Sequence, residues 1–426
     1  MTRLPALLLV LVSCGDSDPM DRPDVVVDDA SIDGRLLDAP VIDAASAESG
    51  MLDGDATVSP SVLRFVDRTA AASLGFEREP ADGYDTLMDR MSGGVCPIDA
   101  DGAPPLDLFF AFRPSGTTRS FLFVADKAFE YRNETDRRGL GAVGDAIGCL
   151  AFDEDGDGDQ DLVVSGLGTL QLFHNEGGTF VDRSDRFSAV TLDPRGMYTS
   201  LAAGDLDGDG VLELAVAGFI RFEPELFRPG QRCGEVLCLG DLASFSAIRN
   251  LLLVRDAGGF YVDVAEVRAP EFAESEATLV LSIGNLDGVP GPELYVGNDL
   301  GWAYRDRLLK PGPGGLADIA EARGLAYNRR GYGIDTMGFA TGDIDNDGDL
   351  DHAGTSFERD GTALFVCGPD FCQDRARERG LERLSNTFRW GIAFFDADRD
   401  GDLDLLEATG HIYPDPEAEA LGFESR

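Results

Sequence analysis

The chain has 426 residues, so either two or three conventional domains or one repetitive domain is expected. Apolar residues make up 43% of it, with 26 Phe among them, which excludes wholesale disorder. Seventy-eight Asp and Glu against 36 Lys and Arg leave a net charge of −42, which phosphate backbones and anionic surfaces repel, so nucleic-acid binding is excluded. Carboxylates at this density also repel one another unless cations sit among them.

Arg3 and the apolar run over residues 4–12 read as the n-region and h-region of an export signal, too short to span a bilayer as a helix. Leu11-Val12-Ser13-Cys14 resembles the bacterial lipobox, which implies cleavage before Cys14 and lipidation of that Cys. Gly15 at the next position fits export to the outer membrane, so a cell-envelope lipoprotein is expected. Residues 1–13 are then signal and 14–60 a tether. Residues 15–60 hold twelve acids against Arg22 and Arg35, with no aromatic, and are expected to be disordered.

Beyond residue 60 one pattern recurs, Asp-x-Asp-x-Asp-Gly-x-x-Asp/Glu. Four full copies carry acids at their first, third, fifth and ninth positions: Asp153, Asp155, Asp157 and Asp161; Asp205, Asp207, Asp209 and Glu213; Asp343, Asp345, Asp347 and Asp351; Asp396, Asp398, Asp400 and Asp404. Two weaker copies keep the frame with Asp99, Asp101 and Asp107, and with Asn285, Asp287 and Glu293. Counting all six in chain order, first positions are spaced 54, 52, 80, 58 and 53 residues apart. Short apolar runs flank each copy, for example Trp390-Gly391-Ile392-Ala393-Phe394-Phe395 and Leu162-Val163-Val164, which predicts strand, loop, strand. A third run (Leu170-Gln171-Leu172-Phe173) and a fourth after a Gly-Gly turn (Phe180-Val181-Asp182-Arg183-Ser184) complete a four-stranded unit. The expected fold is an all-β propeller over 61–416, with six recognisable repeats, six or seven blades and a tail at 417–426. The last repeat lacks its outer strands and the domain opens on Phe65-Val66-Asp67-Arg68-Thr69, so the first segment is expected to complete the last blade.

Oxygen ligands at alternate positions with Gly at the sixth suit Ca²⁺, the Gly permitting a sharp turn. An EF-hand also needs Glu at position twelve, where the second, third and fifth copies have Val164, Val216 and Gly354 and only the sixth has Glu407. The strand flanks and the acid at position nine point to β-hairpin Ca²⁺ loops instead, about four sites in all. The alternative is an Asx/Gly turn without metal. In the weak copies Ala103-Pro104 and Val289-Pro290 fill positions five and six, and these are expected to be metal-free.

Six Cys remain after Cys14, an even number that suits an oxidising setting. Cys233 with Cys238, and Cys367 with Cys372, can each close a small ring. Cys96 and Cys149 lie one repeat apart and are expected to staple adjacent blades. A Cys-x4-Cys zinc site is the alternative, although His partners are missing nearby.

The loops and the Phe-x-Asp-Arg-Ser/Thr element resemble the FG-GAP or VCBS repeats of integrin-α-like propellers. Residues 337–351, residues 390–404 and Gly410-His411-Ile412-Tyr413-Pro414 are similar to signature stretches of the cartilage acidic protein (CRTAC/ASPIC-like) family. The resemblance covers about 61–416 and implies an extracellular, seven-bladed Ca²⁺ propeller, against six loops counted here. The ASPIC/UnbV segment usual in that family does not follow within this sequence.

Together these readings give a lipid-anchored, monomeric module that binds a protein or a glycan and touches the membrane through its anchor only. The 219–250 insertion, with Phe219, Phe222, Phe227 and the Cys233–Cys238 ring, is the first candidate surface. Trp302, Tyr304, Tyr327 and Tyr332 are candidate glycan platforms that equally suit blade packing. His174, His352 and His411 stand in no visible nucleophile, base or metal-ligand spacing, and no catalytic residue is assigned. A propeller hydrolase or lyase acting on an extracellular polymer is the alternative.

Overall fold

The computed structural model describes residues 68–74, 93–114, 119–223, 226, 232–233, 236–237, 244–301, 303–356, 361–381 and 389–409. The signal, Cys14, the tether, Phe65 to Asp67, Phe227, Trp302, His411, the tail and the Cys233–Cys238 ring all lie outside the described side chains.

The chain forms successive antiparallel sheets, each a blade. Blade one is β1 (Gly94–Ile98), β2 (Asp107–Ala111), β3 (Phe121–Lys127) and β4 (Glu130–Asn133); blade two is β5 (Gly148–Phe152), β6 (Asp161–Gly166), β7 (Thr169–Asn175) and β8 (Phe180–Asp182). Blade three has β9 (Gly196–Gly204) and β10 (Glu213–Arg221), then, after a small hairpin of β11 (Arg232–Cys233) and β12 (Val236–Leu237), β13 (Leu251–Arg255) and β14 (Tyr261–Asp263). Blade four is β15 (Thr278–Gly284), β16 (Glu293–Asn298), β17 (Arg307–Gly312) and β18 (Gly315–Asp318); blade five is β19 (Gly338–Gly342), β20 (Asp351–Thr355), β21 (Ala363–Cys367) and β22 (Cys372–Asp374). Blade six shows two strands among the described residues, β23 (Arg389–Phe395) and β24 (Asp404–Thr409). The all-β propeller expected from the repeats is the fold. No helix of the described residues is long and apolar enough to cross a membrane.

Near-continuous apolar strands demand a partner on both sheet faces, and the packing supplies one. Phe109, Ala111 and Leu122 of blade one meet Leu162, Val164 and Phe173 of blade two, whose other face, through Val163 and Leu172, meets Leu214, Val216 and Leu251 of blade three. Ala215 and Leu252 then face Leu294 and Val296, Tyr295 and Leu308 face Ala363 and Phe365, and Ala353 and Leu364 face Ile392, Phe394 and Leu405. Blade one's remaining face, Leu108, Phe110 and Phe123, receives Ala72. The Ala72 carbonyl accepts from Tyr131 N as the Arg138 carbonyl accepts from Phe180 N one blade later. Residues 68–74 therefore stand where a connector arriving from a preceding blade belongs.

The inner strands run so close that some positions have no room for a side chain. A Cβ on Gly148 would lie 2.3 Å from Thr199 O, and one on Gly338 would lie 2.0 Å from Trp390 O. Cys96 on β1 and Cys149 on β5 form a disulfide across these neighbouring inner strands, and Cys367 with Cys372 closes the β21–β22 turn, so two of the three expected pairs are present and the third lies outside the described side chains.

The insertion differs from expectation. β10 runs on to Arg221, so the excursion begins at residue 222. Phe219 and Phe222 are buried, packed with Met197, Ile220, Phe245 and Ala277, because apolar rings at the junction of three blades cover the inner-strand ends. These two aromatics are core rather than a presented surface, and Tyr304 packs against the same cluster.

Between blades four and five, Asp306 is fully buried and accepts from Tyr295 Oη, from Thr336 Oγ1 at 2.6 Å and from Asn298 N at 2.9 Å. Burial outweighs these bonds and pushes its pKa up to about 7, as it does for Asp299 nearby.

Two outcomes follow. Joining positions 53 apart in sequence, the Cys96–Cys149 bond restricts the unfolded chain, and replacing both Cys by Ala lowers the unfolding free energy by about 4 kcal/mol, read by urea denaturation. Asp306 and Asp299 hold protons in the fold between an unfolded pKa of about 3.9 and a folded pKa of about 7, so stability is greatest below that window and falls as pH rises through it. Urea midpoints at about pH 5 and about pH 8 measure the fall, which Asp306→Asn reduces.

Candidate metal-binding loops

Each acidic loop joins the first strand of a blade to the second, so all six lie at one end of their blades. The backbone explains the glycines. Position four is left-handed in every copy, at Gly102, Gly156, Gly208, Gly288, Asn346 and Arg399, and position six is left-handed at Gly158, Gly210, Gly348 and Gly401. The weak copies place Pro104 and Pro290 at position six, where φ is fixed near −65° and this second left-handed turn cannot form.

Position one organises the loop. Asp153 Oδ1 accepts from Gly156 N at 2.8 Å while its Oδ2 accepts from Gly158 N at 3.1 Å, and Asp205 does the same with Gly208 N and Gly210 N. Asp343 and Asp396 likewise draw in Gly348 N and Gly401 N. Position nine begins the second strand. Asp107, Asp161, Glu213, Glu293 and Asp351 are buried there, each accepting from the N–H of position two, for example Leu206 N to Glu213 at 2.7 Å. Asp107, Asp161 and Asp351 also accept from the third strand, at Ala125 N, Asn175 N and Cys367 N. Burial raises the pKa of Asp161, Glu213 and Asp351, and brings Asp107 to about 6. These carboxylates call for a cation.

Carboxylate oxygens of positions one, three and nine lie within 4.8 Å of one another in the second and third loops (Asp153, Asp155, Asp161; Asp205, Asp207, Glu213), as do those of Asp343, Asp345 and Asp347 in the fifth. In the third and fifth loops the donor sets are hard oxygens only, which fits Ca²⁺, whereas at the second loop His174 also lies among the acids, grouped with Glu154 and Asp161. Asp157, Asp209 and Asp400, at position five, accept from backbone N–H two residues on, and Asp398 accepts from Asp400 N. Asp404 is exposed and accepts from Ala397 N.

What sequence reading missed is where the protein supplies its own cations. In the fourth loop Lys310 Nζ bridges Asp287 and Glu293, the latter at 3.0 Å, so an ammonium stands between positions three and nine. In the third loop Arg268 reaches Asp207 at 2.8 Å and Glu213 at 3.5 Å; in the first, Arg138 stands 3.4 Å from Asp101. Arg138 also donates to the carbonyls of Ala100 and Gly178, and Arg323 to those of Asp287 and Pro369, so each ties a loop to the next blade. The signal is a basic residue five positions after the outer strand, in Arg138, Arg268 and Arg323. Among the described residues no Lys or Arg pairs with the acids of the fifth and sixth loops.

Replacing Lys310 by Met leaves Glu293 buried without its counter-charge, and is expected to cost about 2 kcal/mol in urea denaturation, the half-exposed ammonium reducing the full penalty of a broken buried pair. Lys310→Arg restores most of it.

A family model described as FG-GAP-like repeat matches residues 153–216, the second loop through the third. None of the curated proteins matches the chain. Among solved structures the chain is similar to an Agrocybe aegerita lectin described as recognising non-reducing terminal N-acetylglucosamine, at 13% identity over 75% of each chain with a TM-score of 0.40. It is also similar to a Bacillus licheniformis rhamnogalacturonan lyase, at 12% identity over 75% of this chain and 60% of that one with a TM-score of 0.31. The V. cholerae biofilm matrix protein Bap1 matches at 10% identity over 76% of this chain and 66% of that one, with a TM-score of 0.28. At these levels the likenesses say nothing of activity. The sheets and the matched repeat make this chain a β-propeller that carries an FG-GAP-like repeat.

Proposed function

We propose that the chain is a calcium-stabilised, extracytoplasmic propeller, held at the outer membrane through a lipid on Cys14, that acts as a binding or adhesion module for a protein or a glycan. The observation that carries the calcium reading is the fifth loop, where Asp343, Asp345 and Asp347 converge with oxygen donors alone and no side-chain cation among the described residues. The sixth loop repeats that arrangement in its hydrogen bonds, Asp396 gathering Asp400 N and Gly401 N. The third loop shares its acids with Arg268, so its ion competes with a guanidinium.

The exported setting is supported by the two disulfides, which persist in oxidising compartments. For the binding role, Tyr332 is 62% and Tyr327 40% exposed, and the Tyr327 hydroxyl donates to Glu321 at 2.9 Å, which holds its ring in place. Phe371, on the neighbouring blade, is 55% exposed. These rings offer stacking surface of the kind sugars and peptides use.

Calcium at about a hundred times its Kd stabilises the fold by about 2.7 kcal/mol per site, so EGTA is expected to lower the Tm markedly. Calorimetry reads the stoichiometry, and Asp343→Asn and Asp396→Asn are each expected to remove one bound Ca²⁺. No Ca²⁺ uptake and a Tm indifferent to EGTA sink the calcium reading. A glycan array probed with the whole chain in Ca²⁺, wild type beside Tyr332→Ala, tests the glycan form of the binding reading. Absence of any bound glycan leaves protein capture from envelope extracts as its remaining form.

A further inference from the structure

The repeats allow a comparison inside the molecule. Pairing of Leu108 with Phe123, Leu162 with Phe173, Leu214 with Leu253, Leu294 with Leu309 and His352 with Phe365 aligns the third strands, so the counterparts of His174 are Val124, Val254, Lys310 and Val366. At position two of the loops the counterparts of Glu154 are Ala100, Leu206, Leu286, Ile344 and Ala397. Blade two alone places a carboxylate and an imidazole where most other blades place two apolar side chains. Burying such a pair opposes folding unless its charges and lone pairs find partners.

Most of those partners are visible. Glu154 Oε1 accepts from the Tyr261 hydroxyl at 2.7 Å and lies 3.4 Å from Arg255, both reaching over from blade three. Glu154 Oε2 lies 2.9 Å from His174 Nε2. An ionised carboxylate only accepts, so Nε2 carries the hydrogen and Nδ1 is left to a second partner. Nδ1 faces Asp155 Oδ2 at 3.6 Å, beyond hydrogen-bond reach. Among the described residues no Lys or Arg pairs with Asp155, so a gap remains between the imidazole and the carboxylate. The equivalent gap in blade four is filled by the Lys310 ammonium, which reaches Asp287 at the same third position of its loop.

We propose that His174 Nδ1 and Asp155 Oδ2 are two ligands of a divalent transition-metal ion, with Glu154 orienting the imidazole from behind. Two ligands about 2.1 Å from one tetrahedral ion stand about 3.4 Å apart, close to the separation observed. A ligating imidazole characteristically donates its other N–H to a carboxylate, the role Glu154 plays here. Nitrogen makes the site prefer Zn²⁺, Co²⁺ or Ni²⁺ to Ca²⁺, which sets this loop apart from the oxygen-only fifth. The remaining coordination positions open on a cavity of about 470 Å³ lined by Asp155, Asp157, His174, Arg183, Arg186 and Arg255, so the ion has a route in and room for water or an anionic ligand. The proposal does not depend on Ca²⁺ occupying the fifth and sixth loops.

The test uses the full chain in saturating Ca²⁺, titrated with Co²⁺ and followed by calorimetry and visible absorption. One bound Co²⁺ is expected, with d–d bands that include a nitrogen ligand. His174→Ala is expected to weaken it at least about tenfold, and Glu154→Gln by about 10- to 100-fold. Because the chain has three His, imidazole NMR of the unmutated protein follows His174 even where a variant fails to fold; Co²⁺ is expected to broaden its resonance first. Absence of Co²⁺ binding, or binding unchanged in a folded His174→Ala protein, overturns the proposal. So does a His174 ring doubly protonated at about pH 8 and indifferent to Co²⁺, since an imidazolium would then take the part that Lys310 plays in blade four.

Discussion

The carboxylate that begins each second strand does several jobs at once. It closes the loop by accepting from the N–H of position two, and in blades one, two and five it also ties in the third strand. Five of the six are buried, where an ionised group is expensive. Every blade thus creates a local demand for positive charge at the same end of the molecule. Part of the net charge of −42 is the composition-level trace of that demand, the acidic segment 15–60 supplying another part.

The blades answer it in different ways. Blade four uses Lys310, blade three borrows Arg268 from the connector, and blade one has Arg138 beside its loop. The fifth and sixth loops have no such residue among those described, which leaves them suited to a bound ion. Blade two places a histidine there, whose second nitrogen changes the chemistry on offer. One architectural constraint, met six times, yields a graded series from a built-in ammonium to loops whose acids have no side-chain cation among the described residues.

The stacking of successive blades obeys a second rule of the same kind. Strands apolar on both faces have to be sandwiched, so each blade's stability is partly held by its neighbours. The Cys96–Cys149 bond and the close approach at Gly148 and Gly338 act on this inner-strand contact, where the blades are nearest. The same pressure explains why Phe219 and Phe222 turned inward: apolar rings at a junction of three blades bury more surface than they would in a solvated insertion.

Much of this was legible in the sequence because it repeats. The recurring Asp pattern with its apolar flanks indicated the strand order, the loop positions and the turn glycine at position six, since local backbone chemistry reads the same in every copy, and the spacing of the Cys residues pointed to the Cys96–Cys149 and Cys367–Cys372 pairs. Tertiary structure alone decided which loops already hold a cation: Arg138 and Arg268 share a place five residues after the outer strand, but only the fold brings them, and Lys310, to acids far away in the sequence. It also decided that His174 faces Asp155 and backs onto Glu154. The sequence shows three scattered histidines, and only the pairing of strands within blade two turns one of them toward a carboxylate.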